Sequence, residues 1–195
     1  GRWSRSRARA DRLSPRMSRR LRLAIALIGL LAAASLLAAC GEDEVHSEVV
    51  EGQPLELGEL RYNIAITRFL NPNDVEDSEY LVGQPEPPPG QAYLGVFLTI
   101  KNDSDEAQQS AYTYRVVDTT GAEYEPVESE SPYALEIGAP VEGNSQLPIL
   151  DSTAANGAIQ GSMLLFLVDQ EVSENRPLEL EISGPDGEGI VELDI

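Results

Sequence analysis

From residue 54 onward, apolar residues recur at every second position. Leu60, Tyr62, Ile64 and Ile66 alternate with polar or small residues, and Leu94, Val96, Leu98 and Ile100 alternate with Tyr93, Gly95, Phe97 and Thr99. Tyr112, Tyr114 and Val116 mark one face of another strand, which stops at Asp118-Thr119-Thr120-Gly121; Tyr124 sits in a short strand after it. Residues 159–168 (IQGSMLLFLV) form a continuous apolar run, the pattern of a strand buried on both faces. Leu178, Leu180 and Ile182 alternate with glutamates. Gly184-Pro185-Asp186-Gly187 then turns the chain into a last strand, 189–195, with Val191, Leu193 and Ile195 on one face. Period two is the strand signature because successive side chains leave a strand on opposite faces. Gly, Pro, Asn and Asp punctuate the runs. About seven to nine short strands predict an all-β chain folded as a two-sheet sandwich. No stretch after Cys40 shows a helical period.

The first forty residues follow a different rule. Arg16, Arg19, Arg20 and Arg22 precede an apolar run from Leu23 to Ala39, which ends in Leu37-Ala38-Ala39-Cys40. Positive segment, apolar segment and small residues, in that order, are the layout of a secretory signal. Leu-Ala-Ala-Cys resembles the bacterial lipobox, in which a diacylglycerol is attached to the cysteine and the chain is cut just before it. Residues 1–39 are therefore expected to be a signal peptide and Cys40 a lipidated amino terminus. The competing reading is a membrane-spanning helix, but a seventeen-residue, largely apolar run sits at the short edge of a span. Met17 is the expected true start, since residues 1–16 have no apolar period. Ser18-Arg19-Arg20-Leu21 partly matches a twin-arginine signal; Arg22 stands where an apolar residue is expected, which favours ordinary export. Cys40 is the only cysteine, so no disulfide staples the mature domain.

Charge narrows the partners. Nine of the fourteen basic residues and one of the 33 acids lie before Cys40, which leaves a mature chain with five basic and 32 acidic residues. Such a surface repels nucleic acid and anionic membrane. Residues 40–53 read as the lipidated cysteine and an acidic tether, and 54–195 as one domain with a real core. His46, the only histidine, falls in the tether. Without a histidine or cysteine in the folded domain, nucleophilic catalysis lacks its parts and zinc its preferred ligands.

Two long loops interrupt the strands. Residues 71–91 contain NPNDVEDSEY and then QPEPPPG; residues 127–158 are rich in Glu, Ser, Pro, Gly and Asn, with Tyr133, Leu135 and Ile137 as apolar anchors. Loops of this length are often functional, so a binding surface is expected there. In the first, Asn71, Asn73, Asp74, Glu76, Asp77 and Glu79 cluster oxygen ligands of the kind calcium takes, although the EF-hand glycine and spacing are missing. The alternative is a solvated acidic loop. Asn102-Asp103-Ser104-Asp105-Glu106 is a second such cluster, better read as a turn.

The order of three motifs resembles a known family. Tyr93 to Glu106 looks like a strand followed by an "Asn-x-x-Asp" bend. Val117-Asp118-Thr119-Thr120-Gly121-Ala122-Glu123-Tyr124 looks like a "valine-aspartate-x-x-glycine-x-x-tyrosine" stretch. Gly161 to Phe166 looks like a glycine-to-phenylalanine strand. Together they resemble the immunoglobulin-like domain of unknown function found in bacterial lipoproteins, similar in fold to a mycobacterial immunoprotective extracellular protein. The resemblance implies an immunoglobulin-like sandwich and brings no agreed catalytic residues. The expected protein is a monomeric lipoprotein, held on the outer face of the cell membrane by its acylated cysteine. It is expected to act as a non-enzymatic binding or envelope-interaction module, with an unknown protein or envelope partner and no required cofactor. A calcium-binding domain using residues 71–79 and a carboxylate-dependent hydrolase are the alternatives.

Overall fold

The computed structural model describes residues 47–195. The signal peptide, Cys40 and His46 lie outside the described residues. In chain order the strands are β1 (Ser47–Val50), β2 (Pro54–Leu57), β3 (Leu60–Leu70), β4 (Gln91–Asn102), β5 (Gln108–Gln109), β6 (Thr113–Val117), β7 (Glu123–Tyr124), β8 (Pro140–Val141) and β9 (Gln146–Leu147), followed by β10 (Ser162–Asp169), β11 (Leu178–Gly184) and β12 (Gly187–Leu193). One helical turn, α1 (Thr153–Asn156), and a 3-10 turn at Gln170–Ser173 complete the described elements.

The strands form the expected sandwich. One sheet runs β1-β12-β11-β6-β7, and the other runs β10-β4-β3-β2 with β9 beside β4; β5 and β8 make a separate pair. Inward residues of both sheets share one core, including Tyr62, Ile64, Leu94, Val96 and Leu98 from one and Tyr114, Val116, Leu180 and Val191 from the other. Each such side chain contributes roughly 1.5–3 kcal/mol by leaving water. Tyr62 also ties the layers together, its hydroxyl accepting from the Ala111 N–H at 2.8 Å.

The structure corrects the sequence reading in three places. The register of β3 against β4 slips between Ile64, which faces Leu98, and Ile66, which faces Phe97, so Ala65 is an extra residue. A bulge of this kind reverses every later side chain in the strand. Thr67 therefore takes the buried position, and Ile66, expected inside, is 38% exposed. Tyr112 stands before β6 rather than in it; its N–H reaches Ser183 O at 3.1 Å while the ring lies 61% exposed. Residues 47–50, assigned to the tether, are a strand paired in parallel with β12, Ser47 facing Gly189 and Val50 facing Glu192. The folded unit accordingly includes residues 47–50.

The outer face of β4 and β10 carries a second core. Tyr93, Phe97, Met163 and Leu165 point away from the sandwich interior and are covered by Tyr80, Leu81, Tyr133 and Ala154. Tyr80 stacks edge-on against Phe97, with ring centroids 5.0 Å apart, and against Tyr133 at 4.7 Å. Such pairs add roughly 0.5–1.5 kcal/mol beyond area burial. Both long loops thus form a third layer over this face.

Candidate cleft over the edge of strand β10

Strand β10 ends its sheet, so one row of its backbone groups faces outward. Asn102 N–H of β4 bonds Ser145 O on the β10 side of that sheet. Regular alternation therefore turns the even-numbered residues of β4, and their β10 partners Ser162, Leu164 and Phe166, toward each other. Met163, Leu165 and Leu167 are left to present N–H and C=O at the edge. The loop after β7 covers part of it. Val127 N–H donates to Leu165 O at 2.7 Å, Met163 N–H to Tyr133 O at 2.6 Å, and Leu135 N–H to Met163 O at 2.9 Å. Between these anchors residues 128–132 arch away from the strand. No loop acceptor meets the Leu165 N–H.

The arch is held by the other long loop. Gln84 Nε2 donates to Glu128 O at 2.7 Å, Ser131 Oγ to Glu79 O at 2.7 Å, and the Tyr133 hydroxyl to Glu79 Oε2 at 3.1 Å. Burial, together with that carboxylate, pushes the Tyr133 phenol above its ordinary pKa, so it stays a neutral donor. Gly83 has φ +77°, and a side chain there would meet the Glu130 carboxylate at 3.0 Å. The result is an open cleft of about 600 Å³ between arch and strand, within the usual range of about 300–1,000 Å³ for ligand sites. Val127, Ala134, Met163 and Leu165 supply its apolar floor, and Glu128 and Glu130 its charge.

No cation of the described residues reaches those two glutamates. Arg61 pairs with Glu56 and Asp103, Lys101 with Asp103, Arg68 with Asp77, and Arg115 with Glu123 and Glu181. Arg176 donates to Ser173 O and Ile195 O. All five basic side chains of the described residues are thus engaged elsewhere.

The six candidate calcium ligands do not converge. Asp77 is turned inward and 1% exposed, taking Arg68 Nη2 on Oδ1 at 2.7 Å and Asn71 N–H on Oδ2 at 2.8 Å. Glu79 turns to Tyr133. Asn71 and Asp74 accept the N–H groups two residues on, those of Asn73 and Glu76, each at 3.0 Å, the geometry of local turns. Among the described residues no group of three or more His, Cys, Asp or Glu is placed to hold a metal ion. The second acidic cluster is a turn: buried Asn102 bonds Ser104, Glu106 O and Val141 O through both ends of its amide. Asp77 and Asp118 are the buried carboxylates of the described residues. Asp118 accepts from Thr120 and Ala122 and from Asn175.

A second cleft, of about 470 Å³, lies between Lys101 and the segment Ile149–Ser152. Its cation is already paired with Asp103 at 2.6 Å, and Asp151 also lines it. Sequence reasoning placed a binding surface on the two long loops but could not name Glu128, Glu130 or the β10 edge. Their significance depends on a strand terminating its sheet, which no local pattern reveals.

No protein-family model matches the chain. No curated protein matches it. Among solved structures, it is similar to an uncharacterized β-sandwich protein from Clostridium difficile 630, with 14% identity and a TM-score of 0.48 over 79% of this chain and 98% of that one. It is also similar to the yjhA protein from Bacillus subtilis, with 11% identity and a TM-score of 0.46 over 76% and 99%. A functionally unknown protein from Listeria monocytogenes EGD-e gives 9%, 0.40, and 68% and 69%. At these identities the likenesses assign no activity.

Proposed function

We propose that this chain is a lipoprotein anchored on the outer face of the cell membrane, and that its sandwich is a non-enzymatic binding module of the immunoglobulin-like kind. The observation that carries the binding reading is the cleft of about 600 Å³ over β10, where both long loops meet the last strand of a sheet. Loops fixed on a rigid sheet are where binding sites concentrate. The anchoring reading is supported by the arginine-rich and apolar segments ending in Leu37-Ala38-Ala39-Cys40. The family resemblance of the stretches 93–106, 117–124 and 161–166 supports the same class. Acylation with two or more chains would hold the protein stably, since a single chain binds only marginally.

Intact mass of protein extracted from membranes tests the anchor. The expected species begins at Cys40 and carries acyl chains, and Cys40→Ser carries none. Membrane-extracted protein with an unmodified Cys40 overturns the reading.

A further inference from the structure

We infer that residues 84–89 (QPEPPP) are a preformed polyproline II ligand, presented on the surface to a partner protein domain whose groove is lined with aromatic side chains. This surface goes beyond the cleft over β10, which Gln84 borders and residues 85–89 do not line.

The sequence makes the segment extended. Every residue from Gln84 to Pro88 is a proline or precedes one. Proline fixes φ near about −65°, and the residue before it is pushed out of the helical region. The X–Pro bonds of the segment are all trans, and residues 84–88 join no helix and no strand. Both ends are fixed. The Tyr93 hydroxyl donates to Pro85 O at 3.1 Å, and Gln84 Nε2 donates to Glu128 O at 2.7 Å. At the far end Gln91 N–H donates to Pro88 O at 3.0 Å and Gly90 takes φ +86°, a turn with proline second and glycine third. Burial along the segment has a period of three: Gln84 and Pro87 are half-buried, whereas Pro85, Glu86, Pro88 and Pro89 are exposed. A polyproline II helix has about three residues per turn, so one edge lies on the protein and the other two face solvent. Pro85 and Pro88 share an exposed edge, at the Pro-x-x-Pro spacing that aromatic-lined grooves read. The fixed ends hold the segment in the conformation to be bound, so association costs little further ordering. Glu86 lies on the second exposed edge and disfavours an acidic groove.

The test uses the full chain in detergent micelles and two probes, a WW domain and an EVH1 domain, whose aromatic-lined grooves read such helices. Each is also prepared with a groove aromatic residue replaced by alanine. At least one domain is expected to bind the chain, and its groove variant is not. Pro85→Ala with Pro88→Ala should weaken that binding about tenfold, the equivalent of ~1.4 kcal/mol, at an unchanged melting temperature. Pro185→Ala, at an exposed proline in the turn between β11 and β12, should leave it unchanged. The free peptide acetyl-Gln-Pro-Glu-Pro-Pro-Pro-Gly-amide should bind the same domain more weakly than the full chain does, since it must be ordered on binding. If the double variant melts early, the comparison moves to the free peptide, whose counterpart with the same two prolines replaced by alanine must lose binding. Binding by neither domain, binding that survives the loss of Pro85 and Pro88, equal weakening by Pro185→Ala, or a free peptide as tight as the full chain overturns the inference.

Discussion

Arg68 Nη2 lies 2.7 Å from Asp77 Oδ1, and this ion pair fastens the acidic loop after β3 to the strand it leaves. Asp77 is 1% exposed, and its second oxygen takes the Asn71 N–H, so one buried carboxylate folds the first part of the loop back onto the end of β3. The loop's acids are therefore of two kinds: one is internal and structural, and Asp74 and Glu76 remain at the surface.

Removing Arg68 should be costly because it strands a buried charge. Loss of one partner from a buried pair costs roughly 3–5 kcal/mol. Arg68 is itself partly exposed, so Arg68→Met is expected to cost about 2–3 kcal/mol in chemical denaturation. Asp77→Asn, which retains an acceptor, should cost less. Equal stability of Arg68→Met and the parent protein would rule out a structural role for the pair.

Calcium and magnesium should raise the melting temperature equally at matched ionic strength, through screening of the acidic surface. A specific site would add about 2.7 kcal/mol at a hundredfold excess over its Kd. A calcium-specific rise abolished by Asp74→Asn would establish the 71–79 loop as a metal site.

The amino-terminal boundary can be tested by truncation. Glu51 Oε1 accepts from Thr67 N–H and Oε2 from Asp194 N–H, each at 3.1 Å, bridging the two sheets. A protein starting at Pro54 loses this bridge and β1 and exposes an edge of β12. Its urea midpoint should fall below that of a protein starting at His46. Identical midpoints would return residues 47–53 to the tether.

Leu98 and Phe166 pack in the central core and are fully buried. Each is expected to lose roughly 2–5 kcal/mol on substitution by alanine, through lost transfer energy and the cavity left behind. Both variants should keep a β-type far-ultraviolet spectrum. A loss below 1 kcal/mol, an order-of-magnitude threshold for core truncation, would remove either residue from the core.

Acid should weaken the β6–β7 turn. Burial of Asp118 opposes its charge, but hydrogen bonds from Thr120, Ala122 and Asn175 outweigh this and hold the carboxyl below its ordinary pKa. A depressed folded-state pKa stabilises above the unfolded value and loses that contribution as pH falls through the folded one. Asp118→Asn should cost roughly 1–3 kcal/mol at neutral pH. It should also show a shallower decline of the urea midpoint below about pH 4 than the parent. Parallel declines would show that Asp118 is not the titrating group.

The long strands are legible in the alternation of the chain. The alternation of Leu94 to Ile100 places those side chains in the core, and Asp118-Thr119-Thr120-Gly121 forms the expected turn, Gly121 N–H meeting Asp118 O at 2.9 Å. These features are local: a period of two and a turn chemistry are written within a few residues. The tertiary structure alone decided the remainder. One extra residue at Ala65 reversed the faces of half a strand, against an alternation that runs unbroken through Ile66. Ser47–Val50 became a strand only because β12 offered a parallel edge, more than a hundred residues away. Tyr80 and Tyr133 sit in loops whose composition reads as solvated, yet each meets the exposed side of β4 or its neighbour and buries it. The cleft follows from that layer. It exists where two loops far apart in sequence meet over the edge of β10, and contacts at such separation leave no period in the chain.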